Sequence, residues 1–136
     1  MKQHLLIANS DAVLCEVYRR FLADRGYEVE ASTNGLDCVA KLRRLPPAVL
    51  VLDLELLWGG GDGVLAWLRE QSPAPGIPVL LTATAADPAD LAEYHKPPVV
   101  DCLPRPFALA GLLESIRSAA ARRARAEPTK PGRVAG

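Results

Sequence analysis

Compact apolar runs alternate along this chain with longer segments whose apolar residues recur every three or four positions. The run from His4 to Ala8 reads as a short strand. Between Asp11 and Arg25, the positions Val13, Leu14, Val17, Phe21 and Leu22 make one helical stripe, and Gly26 supplies the stop. Tyr27, Val29 and Ala31 alternate with Glu28 and Glu30, the pattern of a half-buried strand. A second helix is expected from Gly35 to Leu45, with Leu36, Val39 and Ala40 inward and Pro46-Pro47 ending it. The apolar run Ala48 to Leu52, closed by Asp53, reads as a strand buried on both faces. Asp62 is expected to cap a third helix with Val64, Leu65 and Leu68 inward. Pro78 to Ala83 gives a fourth strand. Asp87-Pro88 opens a fourth helix that Lys96-Pro97-Pro98 closes. Val99 to Leu103 is a fifth strand, and Leu109, Leu112, Leu113 and Ile116 form the inner face of a last helix.

Five strand–helix repeats of similar length imply an α/β fold, a doubly wound parallel sheet covered by helices on both faces. The loops after the strands, at Asn9–Asp11, Leu54–Gly61, Thr82–Asp87 and Pro104–Phe107, then converge on one edge. Open sheets of this kind place their chemistry outside the carboxyl ends of the strands. Asp53 stands at such an end, where its carboxylate could serve as a nucleophile, a metal ligand or a cap.

A chain of 136 residues is one domain, and 49% hydrophobic residues, 24% charged residues and a mean hydropathy of +0.08 describe a soluble globular protein. No apolar stretch approaches the roughly 20 residues needed to span a bilayer. Met1-Lys2-Gln3-His4 leads directly into a strand and not into a secretory signal, which points to the cytoplasm. Cys15, Cys38 and Cys102 lack C-x-x-C spacing and lie in apolar surroundings, as expected of reduced, buried thiols.

The net charge of zero hides an asymmetry. Arg122, Arg123, Arg125, Lys130 and Arg133 outnumber Glu127 in the last stretch, which leaves it at +4 and the rest of the chain at −4. Pro128, Pro131 and Gly132 oppose a helix there, so the domain is expected at residues 1–121 and a disordered basic tail at 122–136. The tail has no aromatic to stack on bases, which favours a solvated tail or severed linker over nucleic-acid binding.

Several chemistries are poorly supported. Gly59-Gly60-Gly61-Asp62-Gly63 lacks the Lys-Ser/Thr ending of a phosphate loop. Asp53-Leu54-Glu55 lacks the second aspartate of an Asp-x-Asp phosphatase, and His4 and His95 are isolated. An independent enzyme is not expected.

With the strand ends placed, the chain resembles the receiver domain of two-component response regulators over about Lys2 to Ala121. The resemblance rests on the polar cluster after strand one, Gly26-Tyr27-Glu28-Val29, and Val51-Leu52-Asp53. It continues in Asp62-Gly63, Leu81-Thr82-Ala83 and Arg105-Pro106-Phe107, all in order. It implies a flavodoxin-like (βα)5 fold with strand order 2-1-3-4-5 and a role in phosphorelay signalling. Asp53 would then accept a phosphoryl group from a phosphohistidine on a histidine kinase or phosphotransfer protein, its carboxylate oxygen acting as nucleophile. Thr82 and the residue at the family's lysine position would contact that group, an acidic pair after strand one would hold Mg²⁺, and Pro106 would follow a cis bond.

This sequence departs from the family pattern at several of those positions. Asn9 and Ser10 replace the acidic pair, so a site of Asn9, Ser10, Asp53 and Glu55 would hold Mg²⁺ only weakly, since that ion favours carboxylate oxygens. Asp11 could compensate but is better read as a helix cap. Arg105 replaces the lysine, keeping the charge but not the shape. Cys102 occupies the aromatic switch position, and Leu57 and Trp58 fall in a lengthened loop after Asp53. The expected function is therefore that of an atypical receiver with Asp53 as phosphoacceptor. The competing expectation is a phosphorylation-independent interaction module, in which Arg105 pairs permanently with Asp53. Either version would form weak homodimers through the face of the fourth helix, fifth strand and last helix.

Overall fold

Alternation along the strands explains how the chain divides its apolar residues. The computed structural model describes residues 2–56, 60–71, 76–84 and 91–126. The strands are β1 (His4–Ala8), β2 (Glu28–Ser32), β3 (Val49–Asp53), β4 (Val79–Ala83) and β5 (Val99–Pro104). They pair in parallel in the order β2-β1-β3-β4-β5. Leu6, Ala8, Leu50, Leu52, Val79 and Leu81 face one side of this sheet, in a core shared with α2 (Gly35–Arg44) and α3 (Gly60–Glu70). Leu5, Ile7, Val49, Val51 and Leu80 face the other, in a core shared with α1 (Ala12–Ala23) and the last helix, α4 (Leu109–Ala126). The central strands β3 and β4 are buried at every position, which is why they read as unbroken apolar runs.

The same alternation carries Asp53 and Thr82 to the α1–α4 side of the sheet, beyond Val51 and Leu80. The two are register partners on adjacent strands, so their side chains start side by side at the sheet's carboxyl edge. Backbone bonds tie the loops there together: the Leu54 N–H donates to Thr82 O at 2.8 Å and the Arg105 N–H to Ala83 O at 2.8 Å.

Two helices sit rotated from the expected orientation. In α1 the buried residues are Cys15, Tyr18 and Leu22, whereas Val13 is 75% exposed and Val17 44%. The Tyr18 ring stacks on Phe107 with centroids 5.9 Å apart, so a polar-tipped aromatic, not a valine, faces the core. In α2 the inward residues are Gly35, Cys38 and Leu42, whereas Leu36 is 74% exposed, Ala40 is also exposed and Val39 is half-buried. Asn34 fixes that orientation by accepting the Asp37 N–H at 2.8 Å. In α3, Val64, Leu65 and Leu68 are buried as expected, but the helix starts at Gly60, so Asp62 lies in its first turn and not at its cap.

The last helix runs to Ala126, past the expected boundary at residue 121. Arg122 and Arg123 lie along it, and their guanidiniums donate to Val100 O at 3.1 Å and Pro47 O at 2.8 Å. Residues 127–136, the Asp87-Pro88 opening of the fourth predicted helix, and Leu57 and Trp58 lie outside the described residues. Of that fourth helix, which belongs to the expected dimer face, Leu91 and Ala92 are described as helical. Among the described residues, no helix is long and apolar enough to cross a membrane.

Candidate functional site

The end of β3 buries a carboxylate. Asp53 is 3% exposed, and its Oδ1 accepts the Thr82 hydroxyl at 3.2 Å. The Arg105 guanidinium, from the loop after β5, brings Nη2 to 3.2 Å from the same oxygen. That nitrogen also donates to Glu55 Oε1 at 2.5 Å and to Thr84 Oγ1 at 2.9 Å. Asp53, Thr82, Arg105 and Glu55, all singled out in the sequence, thus meet in one cluster. Thr84 joins them unannounced; its position two residues after Thr82, just past the strand end, is the only sequence signal for it. The peptide bond between Arg105 and Pro106 is cis.

The electrostatics follow from the packing. Burial pushes the Asp53 carboxyl above its ordinary pKa, while the nearby Arg105 charge and the Thr82 hydrogen bond pull it back and Glu55 adds to the rise. Burial likewise raises the Tyr18 hydroxyl and the Cys15 thiol, which stand close enough to feel the Asp53 charge. Cys15 donates through Sγ to Asn9 O at 3.3 Å, a structural contact made by a thiol kept protonated. Burial pushes Cys38 up to about 12, and all three cysteines are free.

The residues expected to hold a metal are otherwise engaged. Asn9 is buried and its Oδ1 accepts the Asp11 N–H at 2.8 Å. Asp11 caps α1 by accepting the Leu14 N–H at 3.1 Å. Ser10 lies between them, half-buried. Glu55 is committed to Arg105, whose positive charge already sits on Asp53. Among the described residues, no group of three or more histidines, cysteines, aspartates or glutamates is arranged to hold a metal ion. A divalent cation needs several unengaged oxygen ligands and carboxylate charge, and this donor set does not fit one.

Cys102 stands apart from the cluster. Its register partner is Leu81, and it packs against the α2–α3 core, on the opposite face from Asp53. An open cavity of about 570 Å³ reaches the cluster from the α1 side, with Arg105 and Thr84 at its polar end and Val17, Tyr18 and Phe107 along its wall.

Comparison with known proteins bears on the chain's family and fold. A family model described as the response regulator receiver domain matches residues 5–117. The response regulator MprA of Mycobacterium leprae is 31% identical over 114 residues, which cover 84% of this chain and 49% of that protein. The DNA-binding response regulator MtrA of Mycobacterium tuberculosis is 28% identical over 118 residues, 87% of this chain and 50% of the relative. The chain therefore spans about half the length of the curated relatives it matches. Among solved structures, the CheY-like receiver domain protein from Methanospirillum hungatei superposes with a TM-score of 0.81 at 18% identity, covering 92% of this chain and 98% of that one. Chemotaxis protein CheY4 of Vibrio cholerae gives 0.78 at 22% identity, over 88% and 99%. At these identities the solved structures speak to the fold alone.

Proposed function

We propose a function from one premise: this chain belongs to the response regulator receiver domain family. Its role is that of a signalling module in a two-component phosphorelay, not of an enzyme turning over a substrate, and Asp53 is its phosphoacceptor. The donor is a phosphohistidine on a histidine kinase or phosphotransfer protein. One Asp53 carboxylate oxygen attacks phosphorus while the P–N bond breaks, and the bonding electron pair leaves on the imidazole nitrogen. Phosphoryl transfer of this kind is catalysed by positioning and charge compensation. The Thr82 hydroxyl is placed to donate to a phosphoryl oxygen, and Arg105 to neutralise the added charge. A desolvated carboxylate is also more basic, hence more nucleophilic once ionised. No step here runs through a divalent cation, because the donor set does not fit one.

The observation that carries this reading is the convergence of Asp53, Thr82 and Arg105 at the carboxyl edge of β3, β4 and β5, at 3.2 Å for both contacts. Incubation with acetyl phosphate, followed by intact mass, tests it. One phosphoryl unit is expected in the wild type and none in Asp53→Asn; no gain at millimolar donor, with or without Mg²⁺, rejects phosphorylation.

A second reading has its own observation. The Arg105–Asp53 ion pair closes the site without any phosphoryl group, as a phosphorylation-independent interaction module would require. Absence of phosphoryl uptake, together with an unchanged fold in Arg105→Gln, would favour that reading.

A further inference from the structure

One nitrogen of Arg105 serves three acceptors. Nη2 carries two hydrogens, yet Glu55 Oε1, Thr84 Oγ1 and Asp53 Oδ1 lie at 2.5, 2.9 and 3.2 Å from it. The acceptors therefore compete, and the distances rank Glu55 first, Thr84 second and Asp53 last. The Arg105 side chain is only 22% exposed, and its Nε is buried with no hydrogen-bond partner among the described residues. A guanidinium held from its outer end by a glutamate and a threonine, with a donor left unused, is a fixed charge placed over the carboxylate, not a side chain answering to it.

We propose that Glu55 and Thr84 position Arg105 as a built-in cation over Asp53, so that this acceptor site is charge-compensated by protein instead of by a divalent metal. The role of the clamp as part of an acceptor site rests on the reading of Asp53 given above; the clamp itself does not. The oxygens a metal would take are spent elsewhere, Asn9 on the Asp11 N–H and Glu55 on Arg105. Glu55 is thus a positioning residue, acting on Asp53 only through Arg105.

Two measurements on the full isotopically labelled chain test this without phosphoryl transfer. Hydrogen exchange of the Arg105 Nε–H, followed by NMR, reports who holds the guanidinium. Glu55→Gln is expected to speed it by about tenfold, the loss of one charge-assisted bond of roughly 1.5 kcal/mol, while Asp53→Asn changes it by less than about twofold. The reverse ranking overturns the clamp. In a Mg²⁺ titration, the wild type is expected to give no saturable shift at the Asp53, Leu54 and Thr82 amides through the millimolar range. A saturable response that Asp53→Asn abolishes would show a metal at the site and overturn the proposal. If neither of these contrary results appears but no phosphoryl group is ever taken up, the acceptor reading fails and the clamp stands.

Discussion

Burial at the end of β3 keeps the Asp53 carboxyl above its usual range, because little water is left to solvate its charge, while Arg105 and Thr82 pull it partly back. The sign for stability follows from linkage. With a folded pKa above the unfolded one, the native state binds the proton more tightly, so stability falls as pH rises from about 3.9 through the folded pKa. At neutral pH the ionised group therefore costs stability. Asp53→Asn is expected to raise Tm at pH 7 by about 4 °C, the response to roughly 1 kcal/mol in a domain of this size, and the gain should vanish in acid below the unfolded pKa. A thermal scan against pH checks both. Asp53 stood out in the sequence because it closes an apolar run, whereas Thr82 and Arg105 stood out only through the resemblance to receiver domains. The bonds from Arg105 to Glu55 and Thr84 were not legible there, since they depend on how far a guanidinium reaches across two loops. Nor does spacing reveal that Asn9 spends its Oδ1 on the Asp11 N–H.

The five strands and the four described helices were legible from periodicity, but two helix faces were not. Counting only aliphatic and phenylalanine positions turned α1 toward Val13 and Val17, whereas Cys15 and Tyr18 hold the core. A stripe more than one face wide fixes that a helix is amphipathic, not its rotation; caps and ring stacking decide that. At the start of α3 the constraint is steric. A Cβ on buried Gly61 would stand 2.7 Å from Leu54 Cα and 2.9 Å from Asp53 O. Gly61→Ala is expected to cost about 1–3 kcal/mol by overpacking and to disturb the Arg105–Glu55 contact; urea melts and the Glu55 amide shift check the two effects. Ile116 on α4 is fully buried among β-strand residues of the second core. Ile116→Ala is expected to lower stability by about 2–5 kcal/mol through loss of apolar contact and the cavity left behind, read by the same melts.

The parallel sheet organises everything else. Its order, with β3 in the middle between β1 and β4 and with Asp53 and Thr82 as register partners on β3 and β4, brings two carboxylates, two hydroxyls and one guanidinium to a single edge. The family and the fold agree on a receiver, and at its strand ends an arginine shared with Glu55 faces the buried Asp53 carboxylate. The most direct test of Asp53 as acceptor is chemical trapping. Borohydride reduces an acyl phosphate to an alcohol and leaves a free carboxylate intact, so phosphorylated Asp53 becomes homoserine. After treatment with a small phosphodonor and borohydride, peptide sequencing is expected to find homoserine at position 53. An unaltered aspartate there, or a modified residue anywhere else, would contradict the account.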